Sequence, residues 1–282
     1  MDAVIPSAAM DRLTPPPALR SGAASPTPAA EVCPLCHGSG WVVLPDGGAG
    51  KAVRCECRKK DRGRELASLA GIPERYRACS LAGFDTAVSA DKLLNGRLMA
   101  AKRSCAEFVD AFPLNRKRGQ GLLFYGPPGV GKTHLAVAVL RDLIDRYQVQ
   151  GRYADFTSLM FAIHSTFDDT STDSLASVLR PVIDAEVLVL DELGAQKPTD
   201  WVLQNLYWII NRRYNEQRPT IFTTNYHLEP ADAPGEASAE KLSSRLSPQL
   251  VSRLYEMAKP VSLPGVDFRR EHRAAQRPRP KL

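Results

Sequence analysis

The sequence predicts an α/β fold: a parallel five-stranded sheet sandwiched by helices, with a small cysteine-bearing module ahead of it. Three observations predict it. Short β-rich runs at 121–125, 152–156, 187–191, 219–224 and 260–263 alternate with helical patterns, including about 132–148 and 200–217, and such alternation implies a parallel sheet covered on both faces. A glycine-rich loop, Gly126-Pro127-Pro128-Gly129-Val130-Gly131-Lys132-Thr133, stands between the first run and a helix. The run Val187-Leu188-Val189-Leu190 is apolar throughout, as in a strand buried on both faces, and it ends in Asp191-Glu192.

The glycine-rich loop fits G-x-x-x-x-G-K-[ST] in the strand–loop–helix context that makes the motif credible. Glycines let the backbone approach phosphates closely. Loop N–H groups and the positive end of the following helix attract the anion. Lys132 is expected to reach the β- and γ-phosphates, and the Thr133 hydroxyl to ligate Mg²⁺. Asp191, at the carboxyl end of its strand, is placed to hold Mg²⁺ directly or through water. Glu192 is placed to polarise an attacking water, and phosphoryl transfer needs little beyond positioning and charge stabilisation. The run Thr220-Ile221-Phe222-Thr223-Thr224 ends in Asn225, which could orient that water or simply cap a turn. The run 152–156 falls between the loop and the acidic pair along the chain. These motifs resemble those of AAA+ ATPases, and the resemblance implies an extra strand that separates the two motif strands and leaves room for the glutamate.

A chain of 282 residues with 44% hydrophobic content can bury one large core or two modest ones. It has no apolar run long enough to span a bilayer and no signal-type segment, so a cytoplasmic location without membrane contact is expected. The six cysteines are then thiols or metal ligands rather than disulfides. Net charge is +6. Residues 269–282 hold six Arg and Lys against one Glu, a flexible basic tail that either touches nucleic acid or keeps the chain soluble.

Residues 1–30, rich in Pro, Ala and Ser, read as disordered. Residues 31–60 carry Cys33-x-x-Cys36 and Cys55-x-Cys57. Two close cysteine pairs predict a structural Zn²⁺ ribbon, with His37 a substitute ligand and four unbound thiols the alternative. Residues 61–118 read as a helical linker: one helix over 64–69, stopped by Gly71-Ile72-Pro73, and a longer one over 90–112, ended by Pro113. Residues 72–77 are expected to pack near the base of the nucleotide. Cys79 and Cys105 are expected to be buried. Residues 119–268 form the nucleotide core, in which 168–173 interrupts the helices after 152–156 and 231–244 is a small-residue loop.

The assembled motifs resemble those of bacterial replicative-helicase loaders, the DnaC/DnaI-type branch of the AAA+ ATPases. The resemblance covers roughly residues 72–270. It rests on Gly126 to His134, on Val189-Leu190-Asp191-Glu192-Leu193-Gly194, on Thr223-Thr224-Asn225, on Leu250-Val251-Ser252-Arg253-Leu254 and on Asp267-Phe268-Arg269. It implies an AAA+ core that binds ATP with Mg²⁺. Arg253 matches the arginine finger that reaches a neighbouring subunit's ATP, with Arg245 the fallback. Arg269 matches the arginine that senses the γ-phosphate of its own subunit. The resemblance further implies a replicative DNA helicase and single-stranded DNA as partners, an ATP-dependent homo-oligomer, and DNA contact through the insert at 157–180, which here is poor in basic residues. Cys33, Cys36, Cys55 and Cys57 resemble the zinc module of DnaI-like members. An IstB-type transposition helper shares the core motifs, although such helpers generally carry a helical N-terminal region. A P-loop small-molecule kinase would have no need for Glu192, Asn225 and Arg253 together. A non-hydrolysing adaptor would have no need for intact Lys132, Asp191 and Glu192.

Overall fold

The computed structural model describes residues 33–44, 50–167, 174–195, 199–228, 240–265 and 267–269. The expected disordered segment 1–30, the interruption at 168–173, residues 231–239 of the small-residue loop and the tail beyond Arg269 lie outside the described residues. Two units divide at Val53/Arg54. In the smaller unit a turn over Cys33 to Ser39 leads into strand β1 (Trp41–Leu44), and β1 pairs with β2 (Lys51–Arg54), whose last residue opens the larger unit. The turn closes through His37 N–H to the Cys33 carbonyl at 2.8 Å and Ser39 N–H to the Cys36 carbonyl at 2.9 Å.

In the larger unit the elements are α1 (Glu56–Leu69), α2 (Lys92–Asp110), α3 (Phe112–Lys117), β3 (Gly121–Tyr125), α4 (Lys132–Tyr147), β4 (Gly151–Asp155), α5 (Phe156–Ser165), α6 (Leu175–Asp184), β5 (Val187–Asp191), α7 (Asp200–Asn215), β6 (Thr220–Thr224), α8 (Pro248–Met257) and β7 (Ala258–Ser262). Strands β3 to β7 form one parallel sheet in the order β4-β5-β6-β3-β7. The strand between the two motif strands β3 and β5 is therefore β6. The run expected at 152–156 is β4, and it lies at the sheet edge. Sequence order does not set lateral order: the crossovers lay β4 and β5 out to one side, and β6 returns to fill the gap beside β3.

Alternation along the central strands sends side chains to opposite faces. Leu122, Phe124, Val187, Val189 and Ile221 join the core beneath α4, whereas Leu123, Leu188, Leu190 and Phe222 join the core beneath α5 to α8. Both faces are covered, so these runs must be apolar throughout. Helix α1 starts directly after Cys55, earlier than its charged opening suggests, and α1 and α2 pack against α4. They contribute Leu66, Leu98, Ala101, Cys105 and Phe108 to that core. Pro113 does not end the helical stretch. It occupies the first turn of α3, where a missing N–H costs nothing. Cys79 and Cys105 are buried, and burial pushes the Cys105 thiol up to about 12. Helices α5, α6, α7 and α8 open on side-chain caps from Asp155, Ser174, Thr199 and Ser247.

One buried charge ties this second layer together. Arg213 of α7 is 1% exposed. Its Nε donates to Thr220 Oγ1, its Nη1 to the carbonyls of Val182, Ile183 and Ala185, and its Nη2 to the Pro219 carbonyl, each at 2.9 Å. One guanidinium thus pairs the unsatisfied carboxyl end of α6 and the entry to β6. Arg213→Ala should strand those carbonyls and lower the unfolding free energy by about 3 kcal/mol. Urea titration checks this as a fall in midpoint at unchanged slope.

Candidate nucleotide site

The phosphate loop lies at the carboxyl end of β3, where parallel sheets place their ligand sites. Two glycines show why the loop needs them. Gly126 has φ +142°, and a Cβ there would sit 2.1 Å from the Leu263 carbonyl oxygen. Gly131, at φ +95°, opens α4, and a Cβ there would meet the Phe84 ring at 2.7 Å. Lys132 is 7% exposed and donates to the Gly126 and Pro127 carbonyls at 2.8 and 2.7 Å. Burial lowers its pKa to about 8 despite the opposing pull of Asp191.

Asp191 is 2% exposed. Its Oδ1 accepts from Thr133 Oγ1 at 3.0 Å and from Thr223 Oγ1 at 2.5 Å, and its Oδ2 accepts from the Tyr153 hydroxyl at 2.7 Å. Thr223 Oγ1 also accepts from the Glu192 N–H at 2.9 Å, so one hydroxyl of β6 positions both acids of β5. Glu192 adopts φ +60°, a left-handed conformation uncommon for a residue with a Cβ. Its carboxyl is held above the ordinary range, first by burial and then by the Asp191 and Asp155 carboxylates.

Pro128, Gly129, Gly131, Lys132, Thr133, His134, Glu192, Asn225 and Arg269 line one cleft. Thr223, Tyr76 and Phe268 line it with them. The structure thereby brings most of the predicted nucleotide residues together. Val130 lies next door, in an apolar pocket with Phe84, Val88, Leu98, Pro264 and Gly265. Of residues 72–77, Tyr76 lines the phosphate cleft, and none lines the apolar pocket. His134 borders both spaces and hydrogen-bonds the Ser80 carbonyl at 2.9 Å.

The two finger candidates do not line their own chain's cleft. Arg253, on α8, stacks over the Tyr207 ring at 4.5 Å and lies 5.8 Å from the Tyr214 ring, with a buried Nη1 that has no hydrogen-bond partner among the described residues. Arg245 is paired with Glu240 at 2.6 Å and lies over the Tyr226 ring at 4.9 Å. Sequence reasoning missed Tyr153 and Phe84, and it named Thr223 in the Thr223-Thr224-Asn225 motif without its bond to Asp191. The strand reads Thr-Ile-Phe-Thr-Thr, so nothing local set Thr223 apart from its two fellow threonines. Nothing along the chain placed Tyr153 beside Asp191, because β4 and β5 meet only in the sheet.

The donor sets suit two metals. Thr133 and Asp191 offer the hard oxygens Mg²⁺ prefers. Cys33 and Cys36 lie in the smaller unit and Cys55 and Cys57 at the start of the larger one, and four thiolates are the donor set of a structural Zn²⁺ site. His37 is exposed in its turn and outside this group.

The profile of a family described as IstB-like ATP binding protein matches residues 57–275. The chain belongs to the IstB-like ATP-binding protein family. This is a family of ATP-binding ATPases, and the DnaC-type loaders are among its relatives. The IstB-like chain is similar to a solved DnaC helicase loader: 35% identity, 67% of this chain and 99% of that one covered, TM-score 0.54. It is 30% identical to the replicative helicase loader DnaC of Escherichia coli strain K12 over 131 residues, 46% of this chain and 51% of that protein. It is 29% identical to the ATP-binding protein of insertion sequence IS5376 from Geobacillus stearothermophilus over 164 residues, 58% of this chain and 61% of that protein. The chain thus spans between half and two thirds of the length of these two relatives. Among the described residues no helix is long and apolar enough to cross a membrane.

The four thiols predict about one zinc per chain in metal analysis of protein expressed with ample zinc. Well under half an equivalent would remove the zinc assignment.

Proposed function

We propose that this IstB-like chain is an ATP-driven switch that delivers a replicative helicase to single-stranded DNA. The observation that carries the switch is the convergence of Lys132, Thr133, Asp191, Glu192, Asn225 and Arg269 at one cleft. The similarity to DnaC loaders supports the partner. In this reading Lys132 leaves the loop carbonyls to engage the β- and γ-phosphates, and Thr133 with Asp191 would hold Mg²⁺, which neutralises phosphate charge when bound. Glu192 takes the proton of the attacking water as the water's oxygen bonds to the γ-phosphorus and the bond to ADP breaks. A carboxyl already held above its ordinary range is a better proton acceptor. Asn225 orients the water, and Arg269 senses the γ-phosphate.

Arg253 is read as the finger that completes a neighbouring subunit's site. Its stacking on α7, away from its own cleft, supports that reading. A finger given in trans makes hydrolysis depend on assembly, which is what a loader that releases its cargo after docking requires. Homo-oligomerisation, single-stranded DNA binding and a docking role for the cysteine module belong to the same proposal.

A transposition helper is the second reading, favoured by the family description and by the insertion-sequence relative. The two separate in one assay: ATP hydrolysis measured with single-stranded DNA plus the hexameric helicase of the same cell, against duplex DNA plus a transposase. Stimulation and ATP-dependent retention by the helicase support the loader. A response confined to the second arm makes the chain a transposition helper.

Glu192→Gln should retain ATP while slowing hydrolysis by roughly 100-fold or more. Single-turnover measurement checks it, and unchanged turnover would show that the proton goes elsewhere.

A further inference from the structure

We propose that Tyr153 is a positioning residue that aims Asp191 at the metal: its hydroxyl occupies Oδ2, so that Oδ1 is the oxygen turned toward Thr133 and Mg²⁺. The inference rests on the nucleotide reading above. A carboxylate on a strand end can rotate about its terminal torsion and offer either oxygen. Here the two oxygens are distinguished. Oδ1 faces the hydroxyls of Thr133 and Thr223, both of which line the phosphate cleft, whereas Oδ2 takes the hydroxyl of Tyr153, which does not line it. The asymmetry comes from the sheet. Tyr153 is in register with Val189 and Asp155 with Asp191, so the four side chains share a face. Only a long side chain at 153 can reach along that face to the carboxylate two residues on.

The hydroxyl is itself held in place. Tyr153 is 7% exposed. Its backbone N–H donates to the Ala70 carbonyl at 2.7 Å, where the end of α1 closes the open side of β4. Its ring centroid lies 6.4 Å from that of Tyr76. The donor therefore comes from a rigid strand supported on both edges, as an outer partner of a metal ligand must be if it is to orient that ligand. With Oδ2 satisfied, the carboxylate has no reason to swing away from the cleft when the Thr133 hydroxyl turns its oxygen to a metal.

The test compares wild type with Tyr153→Phe, which deletes one hydroxyl and keeps the ring. Affinity for a fluorescent ATP analogue is measured in EDTA and again in saturating Mg²⁺, so that the readout is the affinity gained from the metal rather than turnover. The proposal expects the variant to match wild type in EDTA within about twofold and to lose roughly tenfold of the gain from Mg²⁺. An unchanged gain overturns the proposal and leaves the nucleotide site standing. An equal loss in EDTA and in Mg²⁺ also overturns it, because Tyr153 would then support the cleft as a whole. A wild type that binds no ATP in either condition overturns the nucleotide reading together with this one. A cooperative melt verifies that the variant is folded, and Tyr153→Met carries the same expectation should the Phe variant fail to melt cooperatively.

Discussion

One buried carboxylate organises the carboxyl end of the sheet in this protein. Asp191 lies beneath the surface and, among the described residues, has no cationic hydrogen-bond partner; it is satisfied by three hydroxyls, Thr133, Thr223 and Tyr153, from α4, β6 and β4. A charge left unsatisfied at that depth would cost several kcal/mol. Each of those elements must therefore stand within hydrogen-bond reach of the end of β5. The placement of the phosphate loop, of Glu192 and of the cleft follows from the same requirement.

The sheet order makes this possible. With β6 between β3 and β5, the phosphate loop and the acidic pair are one strand apart. The gap is bridged at its floor by Thr223 and is open above it, where Asn225 and Glu192 face the cleft. Thr223 accepts from the Glu192 N–H while donating to Asp191. The left-handed backbone at Glu192 is thus held by a specific bond. Strain of that kind persists only where the surroundings over-determine it, and here Glu192 lines the cleft beside the glycine-rich loop.

The opposite layer is held by a different device. Arg213 gathers the carboxyl end of α6 and the start of β6 beneath α7, and α7 in turn supplies the tyrosine rings that carry Arg253. Burial lowers the Arg213 pKa, since the residue is 1% exposed. The residues over 61–118 complete the other layer. Helices α1 and α2 pack on α4, and the stretch after α1 brings Tyr76 to the phosphate cleft and Phe84 to the apolar pocket beside it.

The amino-acid order by itself determined what depends on local spacing. The phosphate loop, the apolar strand ending in Asp191-Glu192, the strands around Leu122, Val189 and Ile221, and the paired cysteines are each written within a few consecutive residues, because dihedral freedom, side-chain alternation and ligand reach act at that range. What needed two distant segments was decided only by the tertiary structure: that β6 rather than β4 parts the motif strands, that Thr223 and Tyr153 share Asp191, that Phe84 rather than residues 72–77 borders the apolar pocket, and that Arg253 rests on α7. Those contacts join residues tens of positions apart, and the lateral order of a parallel sheet comes from how its crossovers pack, which no single stretch of chain encodes.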